Sequence, residues 1–244
     1  MTDHYIEAGM EGFRGPILDE LLALGYFRMF DKLFTTNNTP EEPYDDTVIL
    51  SNVFWLRTLV KKVTDSRSAR IIRRKCWSFT TTIKRAEITD EVKALYALYC
   101  NHVRFELQDN YYEYVNFQST EYPFDSYMVE VRDESTLIAA GFFDAGTKAI
   151  MGIQNIYHPN YIKYSLGKLL MILKMDYARK QEMDYYYTGY ISTSKTVFDY
   201  KLFPDINAVE VFLPMHKEWK PYNLYTKTTL DEYFQVNFID ILFD

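Results

Sequence analysis

The chain has 244 residues, 34 of them acidic and 27 basic, for a net charge of −7 with histidine neutral, and 48% of its residues are hydrophobic. Nine glycines and eight prolines stand against 22 tyrosines and 17 phenylalanines, which excludes a disordered, collagen-like or linker-rich chain and points to a globular protein with a sizeable core. The acidic total excludes bulk, non-specific coating of nucleic acid and leaves room only for a local basic patch.

Residues 15–30 read as a helix, with Ile17, Leu18, Leu21, Leu22, Leu24 and Phe27 on one broad face and Asp19 and Glu20 in the first turn. A turn-rich loop with two prolines follows at 35–43, then a strand-like run over 47–63 carrying Val48, Ile49, Val53, Phe54, Trp55 and Val60. Beyond a basic stretch, Trp77 to Ile83 is a second β-rich run. Thr89 or Asp90 can cap a helix bearing Val92, Leu95, Tyr96, Tyr99 and Val103 at helical spacing. The pattern turns polar and irregular around 108–126, which places a boundary between an N-terminal lobe of residues 1–120 and a second unit of residues 121–244. Three strands then follow at Tyr127–Val131, Leu137–Phe143 and Ala149–Tyr157. Ser165 is set to cap a helix with Leu166, Leu169, Leu170, Leu173 and Tyr177 along one face, and Tyr185–Ile191 and Ala208–Leu213 read as buried strands.

An antiparallel meander followed by strand–helix–strand makes the last two of those strands parallel neighbours. The expected class is therefore α/β (α+β), resembling the acyl-CoA N-acyltransferase (GNAT) core. In that core a mixed sheet holds a central β–α–β unit whose parallel strands splay apart. A smaller N-terminal α/β lobe completes it.

Cys76 and Cys100 are the only cysteines, and with no CxxC pair they suggest neither a zinc or iron–sulfur centre nor a disulfide framework. The first residues lack the basic and apolar regions of a signal peptide, and the most apolar stretch, 166–178, is broken by Lys168, Lys174 and Asp176, so no membrane span is expected and the protein reads as cytoplasmic. The histidines (His4, His102, His158, His216) show no spacing to a serine or cysteine nucleophile.

Four ordered segments resemble the arginyl/leucyl-tRNA–protein transferases of the N-end rule pathway. They are Leu22-Ala23-Leu24-Gly25-Tyr26-Phe27-Arg28; Phe54-Trp55-Leu56-Arg57 with Ser66-Arg67-Ser68-Ala69-Arg70-Ile71-Ile72-Arg73-Arg74; Tyr157-His158-Pro159-Asn160-Tyr161 with Ser165-Leu166-Gly167; and Tyr187-Thr188-Gly189-Tyr190 with Lys195, Tyr200-Lys201 and Phe203-Pro204. The matches run from about residue 15 to about residue 222. The family's N-terminal cysteine cluster is missing, since no cysteine precedes Cys76, so metal or cluster binding is not carried over.

The resemblance implies aminolysis of an ester: a protein α-amine attacks the carbonyl joining an amino acid, of the arginine or leucine class, to tRNA. An α-amine with a pKa near ~8 needs little added basicity, so positioning and oxyanion donors can suffice, and no catalytic triad is required. The implied partners are aminoacyl-tRNA, as co-substrate, and protein or peptide N-termini, with no further cofactor and no metal. From Arg57 to Lys75 eight of nineteen residues are basic and one is acidic, an inversion of the chain's overall charge that suits phosphate contacts by Arg57, Arg67, Arg70, Arg73, Arg74 and Lys75; the alternative is a solvated face. An acidic acceptor N-terminus needs a cation. Arg28 is the first candidate, with Lys195, Lys201 and Tyr200 near the expected slot mouth. Tyr187 and Tyr190 lie on the slot-lining strand and, three apart, are expected on opposite faces. Asp144 could orient the amine, and Gly189 and Gly167 mark close backbone approach, Gly189 alternatively a bulge. Two rival readings stay open, an N-acetyltransferase using acetyl-CoA and a catalytically silent binder of N-termini or RNA.

Overall fold

The fold is that of a computed structural model, which describes residues 4–40, 49–103 and 122–234. The chain begins with β1 (His4–Ile6), α1 (Gly15–Ala23), β2 (Phe27–Met29), β3 (Lys32–Thr35), β4 (Asn38–Pro40) and β5 (Leu50–Leu59). It continues with α2 (Arg67–Lys75), β6 (Thr80–Arg85), α3 (Asp90–Cys100), β7 (Ser126–Asp133), β8 (Thr136–Ala145) and β9 (Ala149–Tyr157). Then come α4 (Leu166–Lys180), β10 (Tyr185–Ser192), β11 (Val209–Leu213) and β12 (Glu218–Pro221).

One large mixed sheet runs in the order β12-β11-β5-β10-β9-β8-β7-β6, with β4 paired to the start of β5, and a small sheet runs β1-β3-β2. Among the described strands of this sheet only β9 and β10, joined through α4, pair in parallel; the other ladders are antiparallel. The expected mixed α/β layout, a meander feeding a central β–α–β unit, is the one the chain adopts. The boundary expected near residue 120 falls outside the described residues. The large sheet takes β5 and β6 from before that point and its other long strands from after it.

The α1 helix is shorter than the expected 15–30 span. Gly25, at φ +82°, breaks it: the Gly25 N–H donates to Leu22 O and the Tyr26 N–H to Leu21 O, closing the helix end and releasing Phe27 into β2. A Cβ on Gly25 would also run into the Phe212 ring. Asp19 is not in a first turn that favours it. It accepts from the N–H groups of Thr147 and Lys148, tying α1 to the turn between β8 and β9. Thr89 caps α3 as expected, accepting from Val92 N–H, while Val103 lies past the helix end. Ser165 sits at the start of α4, but with a left-handed backbone (φ 56°) and no capping bond, because the chain turns a corner there out of a 3-10 turn, Pro159–Tyr164.

α4 covers one face of the large sheet. Leu166, Leu169, Leu170, Ile172 and Met175 are buried against Val129, Val131, Ile138, Phe143, Ile150 and Tyr186, each such side chain contributing about 1.5–3 kcal/mol. The α2 helix joins this layer from outside through Ala69, Ile72 and Cys76. On the other face α1 and the small sheet bury Leu18, Leu22, Phe27 and Leu33 against Trp55, Met151, Tyr187 and Phe212, and α3 covers the β7–β9 end. Much of the aromatic excess is spent here: Phe27 stacks on Trp55 with ring centroids 4.3 Å apart.

Candidate functional site: a cleft where two parallel strands part

Parallel pairing between β9 and β10 lasts for three residues: Tyr185 opposite Ala149, Tyr186 opposite Ile150 and Tyr187 opposite Met151. Past that point β9 stays with β8 and β10 with β5, so the two strands diverge. Each strand bulges where it leaves the other. The β8–β9 register shifts between Phe142 and Phe143, making Ile153 the extra residue of β9, and the β10–β5 register shifts between Tyr187 and Gly189, making Thr188 the extra residue of β10. A bulge raises local twist and bends its strand, which opens the gap. Gly189 permits the second bulge by adopting φ +102°.

The gap is a cavity of about 210 Å³. Its walls are Gly152–Asn155 of β9 and Thr188–Tyr190 of β10. Met171, Lys174 and Tyr186 close it on the α4 side, Phe27, Arg28, Phe34 and Trp55 on the other, and Tyr200 and Lys201 stand at one end. Along a strand, backbone N–H and C=O groups point alternately to either side, so where β9 and β10 face no neighbour every second residue turns its polar groups into the cleft.

Three cations meet here. The Arg28 Nη1 donates to both Asp144 carboxylate oxygens at 3.0 Å and Nε to Phe30 O at 2.6 Å, while the guanidinium lies over the rings of Tyr122 and Phe124. Lys174 is 1% exposed. Its Nζ donates to Phe142 O (2.7 Å), Gln154 O (3.3 Å) and Asn155 Oδ1 (2.8 Å), so it occupies the backbone opening left by the β9 bulge. Lys201 Nζ donates to Tyr190 O at 2.9 Å and lies over the rings of Tyr190 and Phe198. Burial pushes both lysines down from the usual value to about 7. Asp144 is fully buried, receiving the Ser126 hydroxyl as well as Arg28, and does not reach the cleft wall.

Among the tyrosines, the expectation of opposite faces for Tyr187 and Tyr190 fails because of the bulge. Tyr187 pairs with Arg57 and Tyr190 with Trp55, two residues apart on β5, so both lie on the same face. Tyr190 reaches the cleft. Tyr187 packs against Phe27 and Trp219, its phenol pushed up to about 12 by burial, and does not line the cleft. The cleft residue that sequence reasoning missed is Tyr186, on the opposite face of β10; its only signal was the tyrosine run itself.

The remaining expected residues divide. Tyr200 and Lys201 line the cleft, whereas Lys195, at the end of β10, donates to Pro40 O of β4 and stands outside it. A Cβ on Gly189 would sit 2.9 Å from Lys201 Nζ, so its close approach is to a side chain of this protein, and nothing stands nearer than 3.5 Å to the corresponding position on Gly167. In the basic segment Arg67, Arg70, Arg74 and Lys75 are exposed on α2 and form no ion pair among the described residues. Arg73 is held by Asp65 and Asp176. Arg57 is turned away from solvent: it donates to Glu210 Oε2 at 2.7 Å and lies between the Tyr185 and Trp219 rings. The α2 C-terminus adjoins the turn that leaves the cleft end of β9, with the Cys76 thiol 3.6 Å from Tyr164 O. Among the described residues no cluster of three or more His, Cys, Asp or Glu could hold a metal, and no helix is long and apolar enough to cross a membrane.

A mixed sheet opened by a central β–α–β unit, with donors facing the gap, is the architecture of the acyl-CoA N-acyltransferase fold class. Residues 91–204, from α3 through the end of the cleft, match the family described as "Arginine-tRNA-protein transferase, C terminus". The aspartate/glutamate leucyltransferase of Saccharophagus degradans is 30% identical over 139 residues, which are 55% of this chain and 58% of that protein. Arginyl-tRNA–protein transferase 1 of Arabidopsis thaliana is 28% identical over 106 residues, 41% of this chain and 16% of that protein. The chain thus spans less than two thirds of the length of either relative. Among solved structures FemX aligns over 88% of this chain and 64% of its own, at 12% identity and a TM-score of 0.46.

Proposed function

We propose that the chain transfers an amino acid from a charged tRNA to the α-amine of an acceptor whose first residue is acidic. The amino acid moved is an uncharged, apolar one of the leucine class rather than arginine. The observation that carries this reading is the charge of the cleft: Lys174 and Lys201 line it beside an Arg28 whose charge Asp144 balances from behind, and among the described residues no carboxylate lines it. Such a cleft repels a guanidinium side chain and attracts the carboxylate of an N-terminal Asp or Glu. Phe27, Phe34, Trp55 and Tyr190 offer an aromatic wall to an apolar side chain.

In this scheme the ester of the charged tRNA enters the gap between β9 and β10, and backbone N–H groups that face no neighbouring strand receive its carbonyl. The acceptor amine, a useful fraction of it neutral at pH 7–8, attacks the carbonyl carbon. Lys201 holds the acceptor's acidic side chain near the Tyr200 end. Arg28, held and charge-balanced by Asp144, stands in the other wall. The exposed Arg67, Arg70, Arg74 and Lys75 on α2 hold tRNA phosphates outside α4.

The test incubates the protein with labelled Leu-, Arg- and Lys-tRNA and peptides beginning Asp, Glu or Ala. Label should pass from Leu-tRNA to the Asp and Glu peptides and not to the Ala peptide. Transfer chiefly from Arg-tRNA overturns the assignment of the amino acid, and label in no peptide overturns the transferase reading.

A further inference from the structure

Two β10 residues that line the cleft, Tyr186 and Thr188, carry hydroxyls with no assigned role. Tyr186 is 2% exposed and lines the cleft, yet its hydroxyl makes no hydrogen bond among the described residues; it lies against the β9 wall, 3.0 Å from where a Cβ on Gly152 would stand. Thr188 is 9% exposed, and its Oγ1 is buried with no hydrogen-bond partner among the described residues. A buried hydroxyl left without a partner costs on the order of 1–3 kcal/mol, so a protein rarely keeps one such as Thr188 Oγ1 beside a cavity unless something else satisfies it. Both residues line the cleft and bracket the point where β10 leaves β9.

We propose that the Tyr186 and Thr188 hydroxyls are the side-chain donors for the carbonyl oxygen of the aminoacyl ester, strengthening their hydrogen bonds as that oxygen becomes negative. This deepens the transferase reading and rests on it. In the reaction the amine lone pair forms the new C–N bond and the carbonyl π pair moves onto oxygen. Collapse of the tetrahedral intermediate expels the ribose oxygen, which takes up the proton given up by the amine nitrogen. Ester and amine become amide and hydroxyl, and the two donors lose no proton. Burial suits Tyr186 to this task, because it holds the phenol above its ordinary pKa and so keeps the hydrogen on it through the neutral range. Thr188 is brought to the cleft by the bulge: as the extra residue of β10 it has no partner on β5, and the parallel ladder to β9 has ended one residue earlier.

The test compares wild type with Tyr186→Phe, Thr188→Val and Thr188→Ser in transfer of labelled leucine from Leu-tRNA to a Glu-peptide, separating kcat from the KM of each substrate. The phenylalanine and valine variants keep the shape of the site. Each should lose on the order of 10²-fold in kcat with KM little changed and a melting temperature unaltered or raised, while serine at 188, which restores a hydroxyl, recovers most of the rate. Wild-type kcat in both Tyr186→Phe and Thr188→Val overturns the donor assignment and leaves the transferase reading standing. Equal losses in Thr188→Val and Thr188→Ser overturn the role of Thr188 by pointing to packing. A wild-type protein that transfers nothing from any charged tRNA overturns both.

Discussion

Arg28 and Asp144 form a buried ion pair at 3.0 Å, their side chains 3% and 0% exposed, that joins the small sheet to the end of β8 directly behind the cleft. Removing one partner leaves the other charge without compensation in a dry site. Asp144→Ala should lower the unfolding free energy by about 3–5 kcal/mol in urea titrations. The double replacement Arg28→Met with Asp144→Leu should recover much of that loss, because neither charge then remains.

On the proposed transferase reading, Lys201 links acceptor binding to pH. Its charged form attracts an acidic N-terminus, and its pKa near 7 means that this charge is lost as pH rises through neutrality. The KM for a Glu-peptide should therefore rise between pH 6.5 and 8.5 in wild type. In Lys201→Arg, where the guanidinium stays charged, the KM should be nearly flat over the same range. Steady-state kinetics with the two proteins side by side make the measurement.

Lys174 makes a different pH-dependent contribution, to stability. Its folded-state pKa is near 7 and its unfolded value near 10.5, so between those limits the unfolded chain holds a proton that the folded chain has shed. Stability conferred at this site consequently rises with pH from about 7 upward, and the burial penalty is greatest below 7. Chemical denaturation of wild type and Lys174→Met from pH 6 to 9 should show the wild type gaining on the variant as pH increases. At any pH the variant leaves Phe142 O, Gln154 O and Asn155 Oδ1 without their shared donor, a further loss of about 1–3 kcal/mol.

The two ends of the basic segment should separate cleanly in tRNA binding. Neutralising Arg67, Arg70 and Arg74 on the exposed face of α2 should weaken binding and reduce the dependence of log K on log[salt] by about 0.7–0.9 for each phosphate that no longer meets a cation. Arg57→Met, which removes the ion pair to Glu210 and the stacking on Tyr185 and Trp219, should lower thermal stability and leave the salt slope unchanged. Filter binding across a salt series, together with melting curves, distinguishes them.

Much of this architecture was legible in the residues alone. The period-2 runs of β7, β8 and β9, the leucine face of α4 and the Thr89 cap of α3 are local patterns, and they specify a meander followed by a crossover. The family-like segments, the excess charge of residues 57–75 and the place of Lys201 and Tyr200 beside the cleft are likewise written in order along the chain. Other features were decided by neighbours distant in sequence. The short strands β1, β2, β3 and β12 exist only because partners are supplied from elsewhere, since three or four residues carry too little pattern to declare a strand. Which arginines face water was settled by the carboxylates that happen to lie opposite, Glu210 for Arg57 and Asp176 for Arg73. A single extra residue at Thr188 reversed the parity of β10 beyond it, putting Tyr190 on the face of Tyr187. Alternation along a strand is a local rule, but where a bulge interrupts it depends on how two neighbouring strands share a third, and that is a property of the folded sheet.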